Sequence, residues 1–178
     1  MRDTTFFGTV AAAGAGELVE LQARECGPNH RFWRLVAATR TVSGGSWQIR
    51  SDRTGWILPH NAYFRARWRG EYSEVELLRA PATIWANWRP ARRVVVVSVS
   101  TWTSGQSLRG RYVELQRRVS GTDSWVRVRR ALLVPTQGIG TFRARFRVQT
   151  RGLTLRVVVP AETGVPCFTA AASDSWRS

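Results

Sequence analysis

The chain has 178 residues with a net charge of +15, and every one of its basic residues is Arg. That length suits one mid-sized domain or two small ones, and such a charge favours anionic partners such as nucleic acid or acidic glycans without indicating a fold. No apolar run approaches the about 20 residues of a membrane span, and Asp3 makes the N-terminal segment a poor signal peptide.

The first half of the chain reads as short β-strands. Apolar and aromatic residues alternate with polar ones, and clusters of Gly, Ser, Asn and Pro separate the stretches. Lettered as in a β-sandwich, strands B to G are predicted at FFGTVAAA, ELVELQARE, FWRLVAATRT, SWQIRS, AYFRARW and SEVELLRA. Strand A is missing from this half, since the sequence begins where strand B begins.

The second half has the same character but includes a strand A. Strands A to G are predicted at ATIWAN, RVVVVSVSTW, RYVELQRR, WVRVRRALL, TFRARFRV, LTLRVVV and SDSWRS. No helical period of useful length is present. Short strands with regular turn signals predict an all-β fold of two β-sandwiches in tandem, residues 1–81 and 82–178.

An internal repeat relates the two halves. VELQ at 19–22 recurs at 113–116. Further matches keep the same chain order: Trp33 with Trp125, Gly45-Ser46-Trp47 with Gly140-Thr141-Phe142, Arg65 with Arg156, and Ser73 with Ser173. Small differences in spacing are differences in loop length. We therefore interpret the chain as two homologous modules.

Several groups of residues in the first half resemble the tandem Ig-like modules of secreted and surface-attached bacterial proteins. They are Gly45-Ser46-Trp47, Pro59-His60-Asn61, Tyr63-Phe64-Arg65-Ala66, and Ser73 with Val75, ahead of the Pro-containing linker. The resemblance covers nearly the whole chain, although Ala62 stands where Thr commonly follows the Asn. It implies two Ig-like sandwiches that serve as a spacer, fibre or adhesion module without an active site.

The sequence contains no pattern typical of a catalytic, metal or cofactor site. His30 and His60 lie in polar turns away from any nucleophile motif, and two His are too few for a His-based metal cluster. Glu74 and Glu76 alternate along a strand beside Arg, as residues of cross-strand ion pairs do. We predict a protein that is not an enzyme and has no cofactor, metal or small-molecule substrate.

Arginine alternates with apolar residues on strands D and E of the second module. The five arginines are Arg127, Arg129, Arg143, Arg145 and Arg147. Strands D and E are neighbours in an Ig-type sheet, so these side chains are expected to share one outward face without compensating acids. Like charges repel across strands. The face therefore either meets an anionic partner or is merely solvated.

The two cysteines, Cys26 and Cys167, fit one disulfide or two free thiols. Consecutive strands run in opposite directions, so the loop after strand C of the first module and the F–G loop of the second both face the module junction. Trp85, Trp88 and Trp102 flank the linker and are expected to pack there. A disulfide between the cysteines would indicate an oxidising compartment.

The leading hypothesis is a non-catalytic structural subunit of an extracellular or cell-surface filament, coat or other multi-copy assembly. A sheet edge without its neighbour invites pairing, so another chain or an N-terminal segment outside this sequence is expected to supply the missing strand A. The alternative is a binding module that holds an anionic polymer, either nucleic acid or acidic glycan, on the arginine-rich sheet face.

Overall fold

A computed structural model describes residues 4–27, 31–50, 61–101 and 106–178. The chain divides into two compact units, Met1–Leu78 and Arg79–Ser178. This boundary lies slightly before the predicted one at residue 81, because Ala80–Pro81 pairs in parallel with Phe168–Thr169 of the second unit. The fold is all-β with several sheets, which is consistent with a β-sandwich class.

The described part of the first unit forms two sheets. Its strands are β1 (Thr5–Thr9), β2 (Leu18–Glu25), β3 (Arg34–Arg40), β4 (Ser46–Arg50), β5 (Ala62–Trp68), β6 (Glu71–Tyr72) and β7 (Glu76–Leu78). Strands β1 and β4 pair alone, and β3, β2 and β5 follow one another in the larger sheet, where β6 and β7 both pair with β5. A 3₁₀ turn at Ser43–Gly45 leads into β4.

The second unit has the same two main sheets with additional strands, and Ala80–Pro81 and Phe168–Thr169 form a third, two-stranded parallel sheet. They are β8 (Ala80–Pro81), β9 (Thr83–Arg89), β10 (Val94–Ser100), β11 (Tyr112–Arg118), β12 (Trp125–Leu132), β13 (Val134–Pro135), β14 (Thr141–Arg147), β15 (Thr154–Val159), β16 (Phe168–Thr169), β17 (Ala171–Ala172) and β18 (Trp176–Arg177). One sheet has the order β13-β14-β10-β9, and the other has the order β12-β11-β15-β17 with β18 also on β15. A 3₁₀ turn at Pro90–Arg92 and the short helix α1 (Ala161–Gly164) lie in connections.

Alternation of side chains builds the core of each unit. In β10, Val95, Val97 and Val99 are fully buried while the residues between them are only half-buried. In the other sheet, β15 alternates in the same way, and β11 buries Val113 and Leu115 on either side of the buried Glu114. Each fully buried Val contributes about 1.5–3 kcal/mol. In the first unit the ring centroids of Phe6 and Phe64 are 4.7 Å apart. Both side chains pack in a cluster that includes Leu21.

The repeat read from the sequence reappears in the strand register and in the hydrogen bonds. The ladder of β2 and β3 is irregular between Leu21 and Gln22, and that of β11 and β12 is irregular between Leu115 and Gln116. Ser73 Oγ accepts a hydrogen bond from the Ala66 amide at 2.9 Å. Ser173 Oγ accepts one from the Val157 amide at 3.0 Å. Each Ser hydroxyl also donates to the next carbonyl, that of Glu74 or Asp174, at 2.8 Å.

The two units differ most at the edge of the smaller sheet. In the second unit β9 pairs with β10 along seven residues, from Thr83 to Arg89. The counterpart of β10 in the first unit is β1, which pairs with β4 on one side. No strand in the described part of the chain pairs with the other side of β1.

The disulfide predicted from the sequence is confirmed: Cys26 and Cys167 are bonded to each other. Cys26 follows β2, and its amide donates to the Asn61 carbonyl at 2.8 Å. Cys167 lies between β15 and β17, where its amide donates to Gln106 Oε1 at 3.2 Å. The bond joins two residues that are far apart in the sequence, which constrains the unfolded chain.

Two adjacent glycines provide a test of the turn that positions β4. Gly44 and Gly45 both have positive φ, but an added Cβ meets nothing within 4 Å at Gly44 and would lie 2.1 Å from the Val10 carbonyl oxygen at Gly45. We expect Gly44→Ala to cost about 1 kcal/mol through backbone strain alone. Gly45→Ala should cost more than about 3 kcal/mol, because the backbone of the turn must move.

Urea unfolding followed by circular dichroism measures both variants, and Gly44→Ala is the matched control. Equal losses of stability in the two variants would contradict the packing of Val10 against Gly45.

Candidate functional site

The five arginines predicted to form one face lie on two different sheets. Arg127 and Arg129 are on β12, which pairs with β11. Arg143, Arg145 and Arg147 are on β14, which pairs with β10 and β13. The expectation that strands D and E are neighbours in one sheet is therefore wrong.

The physical reason is a change of sheet within one stretch of chain. Trp125–Leu132 pairs with β11, and the next strand, Val134–Pro135, pairs with β14. The segment predicted as strand D, residues 125–133, thus contributes a strand only to the sheet of β11, and the chain passes to the other sheet just after it. Arginine alternation along a strand does not specify which neighbour that strand has.

The arginines of β12 also have an acid beside them. Glu114 of β11 is buried, and its Oε1 accepts from Arg130 Nε at 3.0 Å and from Arg127 Nη1 at 3.3 Å. Gln116 Nε2 lies 3.4 Å from the other carboxylate oxygen. A buried carboxylate needs such partners. Arg127 is therefore compensated, contrary to the sequence-based expectation.

An acid-free arginine surface does exist, on the outer face of the β9–β10–β14 sheet. Arg143, Arg145 and Arg147 are exposed there and lie opposite Ser98, Val96 and Val94 of β10. On the far side of β10, Arg89 of β9 also lies opposite Val94. None of the three strands contains Asp or Glu. We call Arg89, Arg92, Arg143, Arg145 and Arg147 the outer arginine face.

The outer arginine face includes a shallow depression. Arg89, Arg92, Arg145 and Arg147 line it, and its volume is about 380 Å³. None of these side chains forms an ion pair within the described part of the chain. Trp85 is 55 % exposed on the same face of β9, and it shares Ser98 as a neighbour with Arg143. Guanidinium groups beside an exposed indole suit an anion that also carries flat rings.

A second recurrent arrangement was not predicted from the sequence: an arginine stacked on tryptophan and held by glutamine. The Arg65 guanidinium lies 4.2 Å from the Trp33 ring centroid and donates from Nε to Gln22 Oε1 at 3.0 Å. Arg156 has the same two distances to Trp125 and to Gln116. The repeat matches the tryptophans with each other and the arginines with each other, but this signal does not indicate that the two residue types touch.

In the first unit this arrangement extends into a row of alternating rings and guanidinium groups. Arg65 lies between Trp33 and Tyr72, 3.8 Å from the Tyr72 centroid. Arg24 lies on Trp33 and on Tyr63 at 5.1 and 5.0 Å. Three aromatic rings thus share two cations, which uses those cations internally and leaves them less available to an external anion.

Four other acids in the described part of the chain also pair with arginine. Glu17 pairs with Arg69 at 2.6 Å and Glu20 with Arg67 at 3.3 Å. The remaining surface pairs are Arg34 with Glu25 and Arg118 with Asp123. These pairs are exposed, so each contributes little to stability.

Three pKa shifts accompany side-chain contacts in the second unit. The Tyr112 hydroxyl donates to Glu162 Oε1 at 2.6 Å. This hydrogen bond lowers the pKa of Glu162 and raises the pKa of Tyr112. Burial lowers the pKa of Arg156 from its ordinary value, in keeping with its position between the Trp125 ring and the sheet.

The other residues singled out from the sequence are spread over the second unit or lie outside the described residues. Trp85 and Trp88 occupy opposite faces of β9, the first exposed and the second half-buried. Trp102, His30 and His60 lie outside the described residues. Within those residues no group of three or more His, Cys, Asp or Glu could hold a metal ion, and no helix is long and apolar enough to span a membrane.

Comparison with known protein-family models and with curated protein sequences found no match to the chain.

A double-mutant cycle tests the stack in the second unit. We expect Trp125→Ala and Arg156→Met to show a coupling energy of about 0.5–1 kcal/mol in urea unfolding, because each change removes the same cation–π contact. Arg145→Met is the control partner, since Arg145 lies on the other sheet and should be additive with Trp125→Ala. A coupling of zero between Trp125 and Arg156 would mean that the stack has no energetic role.

Proposed function

We propose that the chain is a non-catalytic structural module, made of two Ig-like sandwiches, that joins other protein chains in a multi-copy extracellular or surface assembly. The observation that carries this proposal is the unequal repeat. The second unit has a strand on the free side of β10, whereas no described strand occupies the corresponding side of β1. Unpaired strand edges form intermolecular sheets readily.

The strand order supports the Ig-like part of the proposal. In the second unit β9, β10 and β14 form one sheet, and β11, β12 and β15 form the other. In sandwich lettering, β9, β10 and β14 are strands A, B and E, and β11 and β15 are strands C and F. Strand β12, the segment predicted as strand D, lies at the edge of the sheet that contains C and F. Sandwiches of this kind commonly act as spacers and adhesion modules, although a fold by itself does not decide function.

The disulfide supports the extracellular part of the proposal. Disulfides persist in oxidising compartments and are rare where thiols are kept reduced. The Cys26–Cys167 bond is therefore compatible with an extracellular location.

The assembly proposal predicts particles larger than the 20.1 kDa chain. Sedimentation velocity and negative-stain imaging of the non-reduced chain should show species whose size increases with protein concentration, because strand addition between chains is a bimolecular association. A single 20.1 kDa species up to the solubility limit would contradict the proposal.

A second function, binding of an anionic polymer, is favoured by the outer arginine face. Its five cations have no acid on their own sheet and lie beside the exposed Trp85. Backbone phosphates of nucleic acid or the sulfates of an acidic glycan would neutralise these charges.

A charge-matched pair of triple variants tests polymer binding. Arg143→Ser, Arg145→Ser and Arg147→Ser together should reduce the slope of log affinity against log salt by about 2–3 on duplex DNA, at about 0.9 for each phosphate that the variant no longer neutralises. The control replaces Arg34, Arg67 and Arg69, which are paired with acids, by Ser. It lowers the net charge equally and should change the slope by less. Equal slopes for the two triple variants would show that total charge alone attracts the polymer.

A further inference from the structure

A groove in the first unit opens along the free side of β1. Its volume is about 650 Å³, and it lies between β1 and the edge formed by β5, β6 and the segment that follows. Apolar side chains form its floor, including Phe6, Val19, Leu21, Trp47 and Phe64. This volume lies within the range of about 300–1,000 Å³ that is typical of ligand sites.

The backbone of β1 is suited to pairing with a further strand along this groove. The Val10 amide donates to the Gly45 carbonyl at 3.0 Å, on the β4 side. Because bonding alternates along an antiparallel strand, Phe6 and Gly8 also point their backbone groups toward β4. The N–H and C=O groups of Thr5, Phe7 and Thr9 then point to the groove side.

In the second unit, a strand occupies the position that is equivalent to this groove. There β9 pairs with β10 and lies against β15 and β17. By register, β15 corresponds to β5 and β17 corresponds to β6, the two strands that line the groove. The groove therefore has the place and the boundaries of strand β9, with the strand itself lacking among the described residues.

The sequence of β9 indicates the chemistry of an occupant. Ile84, Ala86 and Trp88 are half-buried on one face, and the residues between them are exposed. The strand has no acid and ends in Arg89. Glu71, Glu74 and Glu76 line the groove and are exposed, and none of them forms an ion pair with a described residue. An occupant with basic residues and alternating apolar residues fits both the floor and the acids.

We infer that this groove is a receptor for a β-strand of another polypeptide chain, in which apolar residues alternate along one face and the net charge is positive. The donated strand pairs antiparallel with β1 and completes the smaller sheet of the first unit. The inference rests on the proposed function, because it supplies the contact through which an assembly would grow.

The test uses the full chain and a synthetic peptide with the sequence of residues 82–90, ATIWANWRP. We expect saturable binding by calorimetry and an increase in the melting temperature.

In β9 the Asn87 amide points toward the neighbouring strand and the Ala86 amide points away, by the same alternation. N-methylation at Asn87 should weaken binding about tenfold or more, and N-methylation at Ala86 should leave it within about twofold.

A matched pair of variants assigns binding to the first unit. Phe7→Pro removes an amide hydrogen on the groove side and none from the ladder with β4, so binding should be lost while the circular dichroism spectrum is kept. Phe7→Ala keeps the amide and should bind, since the Phe7 side chain is 78 % exposed. Replacing Glu71, Glu74 and Glu76 by Gln should weaken binding and flatten its salt dependence.

Failure of this inference is distinct from failure of the proposed function. No saturable peptide binding, binding that survives Phe7→Pro, or equal binding of the two N-methylated peptides would overturn the strand receptor even if large particles form. Peptide binding with the expected pattern would establish the receptor even if the chain alone stays monomeric.

Discussion

Each unit is organised around one antiparallel pair of strands, β2 with β5 and β11 with β15. The inner side chains of this pair belong to the core, and its outer side carries glutamine and arginine in register, Gln22 beside Arg65 and Gln116 beside Arg156. The hydrogen bond between them fixes the guanidinium plane, so that a tryptophan just before or at the start of the next strand, Trp33 or Trp125, can lie on it. The remaining strands are added at the sides of this pair.

This arrangement also explains how so basic a chain folds. Guanidinium groups on neighbouring strands repel one another unless something separates or neutralises them. The larger sheets use aromatic rings and a few carboxylates for this purpose, as at Trp33 and at Glu114. Among the described residues, no carboxylate pairs with the outer arginine face of the second unit and no ring stacks on its arginines, so its charge is left to solvent or to a partner. The first unit has the opposite imbalance along its groove, where Glu71, Glu74 and Glu76 form no ion pair with a described residue.

Much of the strand content and the repeat could be predicted from the sequence, because alternation and paired tryptophan and arginine positions are local signals. The match of Ser73 with Ser173 even anticipates a hydrogen bond that both units make. The neighbour of β12 could not be predicted, since the chain changes sheet between Leu132 and Val134 without a glycine or other marked break. Arg89 was not predicted as part of a charged face, because it lies beyond the end of the predicted strand A, ATIWAN, whereas β9 continues through it.

The two units have surfaces of opposite charge, and this difference affects which kind of assembly the chain could form. The groove of the first unit is acidic at its rim, and the outer face of the second unit is basic. A contact between two different surfaces of identical chains is heterologous, and repeated heterologous contacts give closed rings or open filaments rather than a two-fold dimer. Strand addition at β1 has the same property, because the donated strand and the receiving edge are different elements. A subunit that uses such contacts would extend by end-to-end addition, and salt would weaken the charged contacts before it affected the backbone pairing.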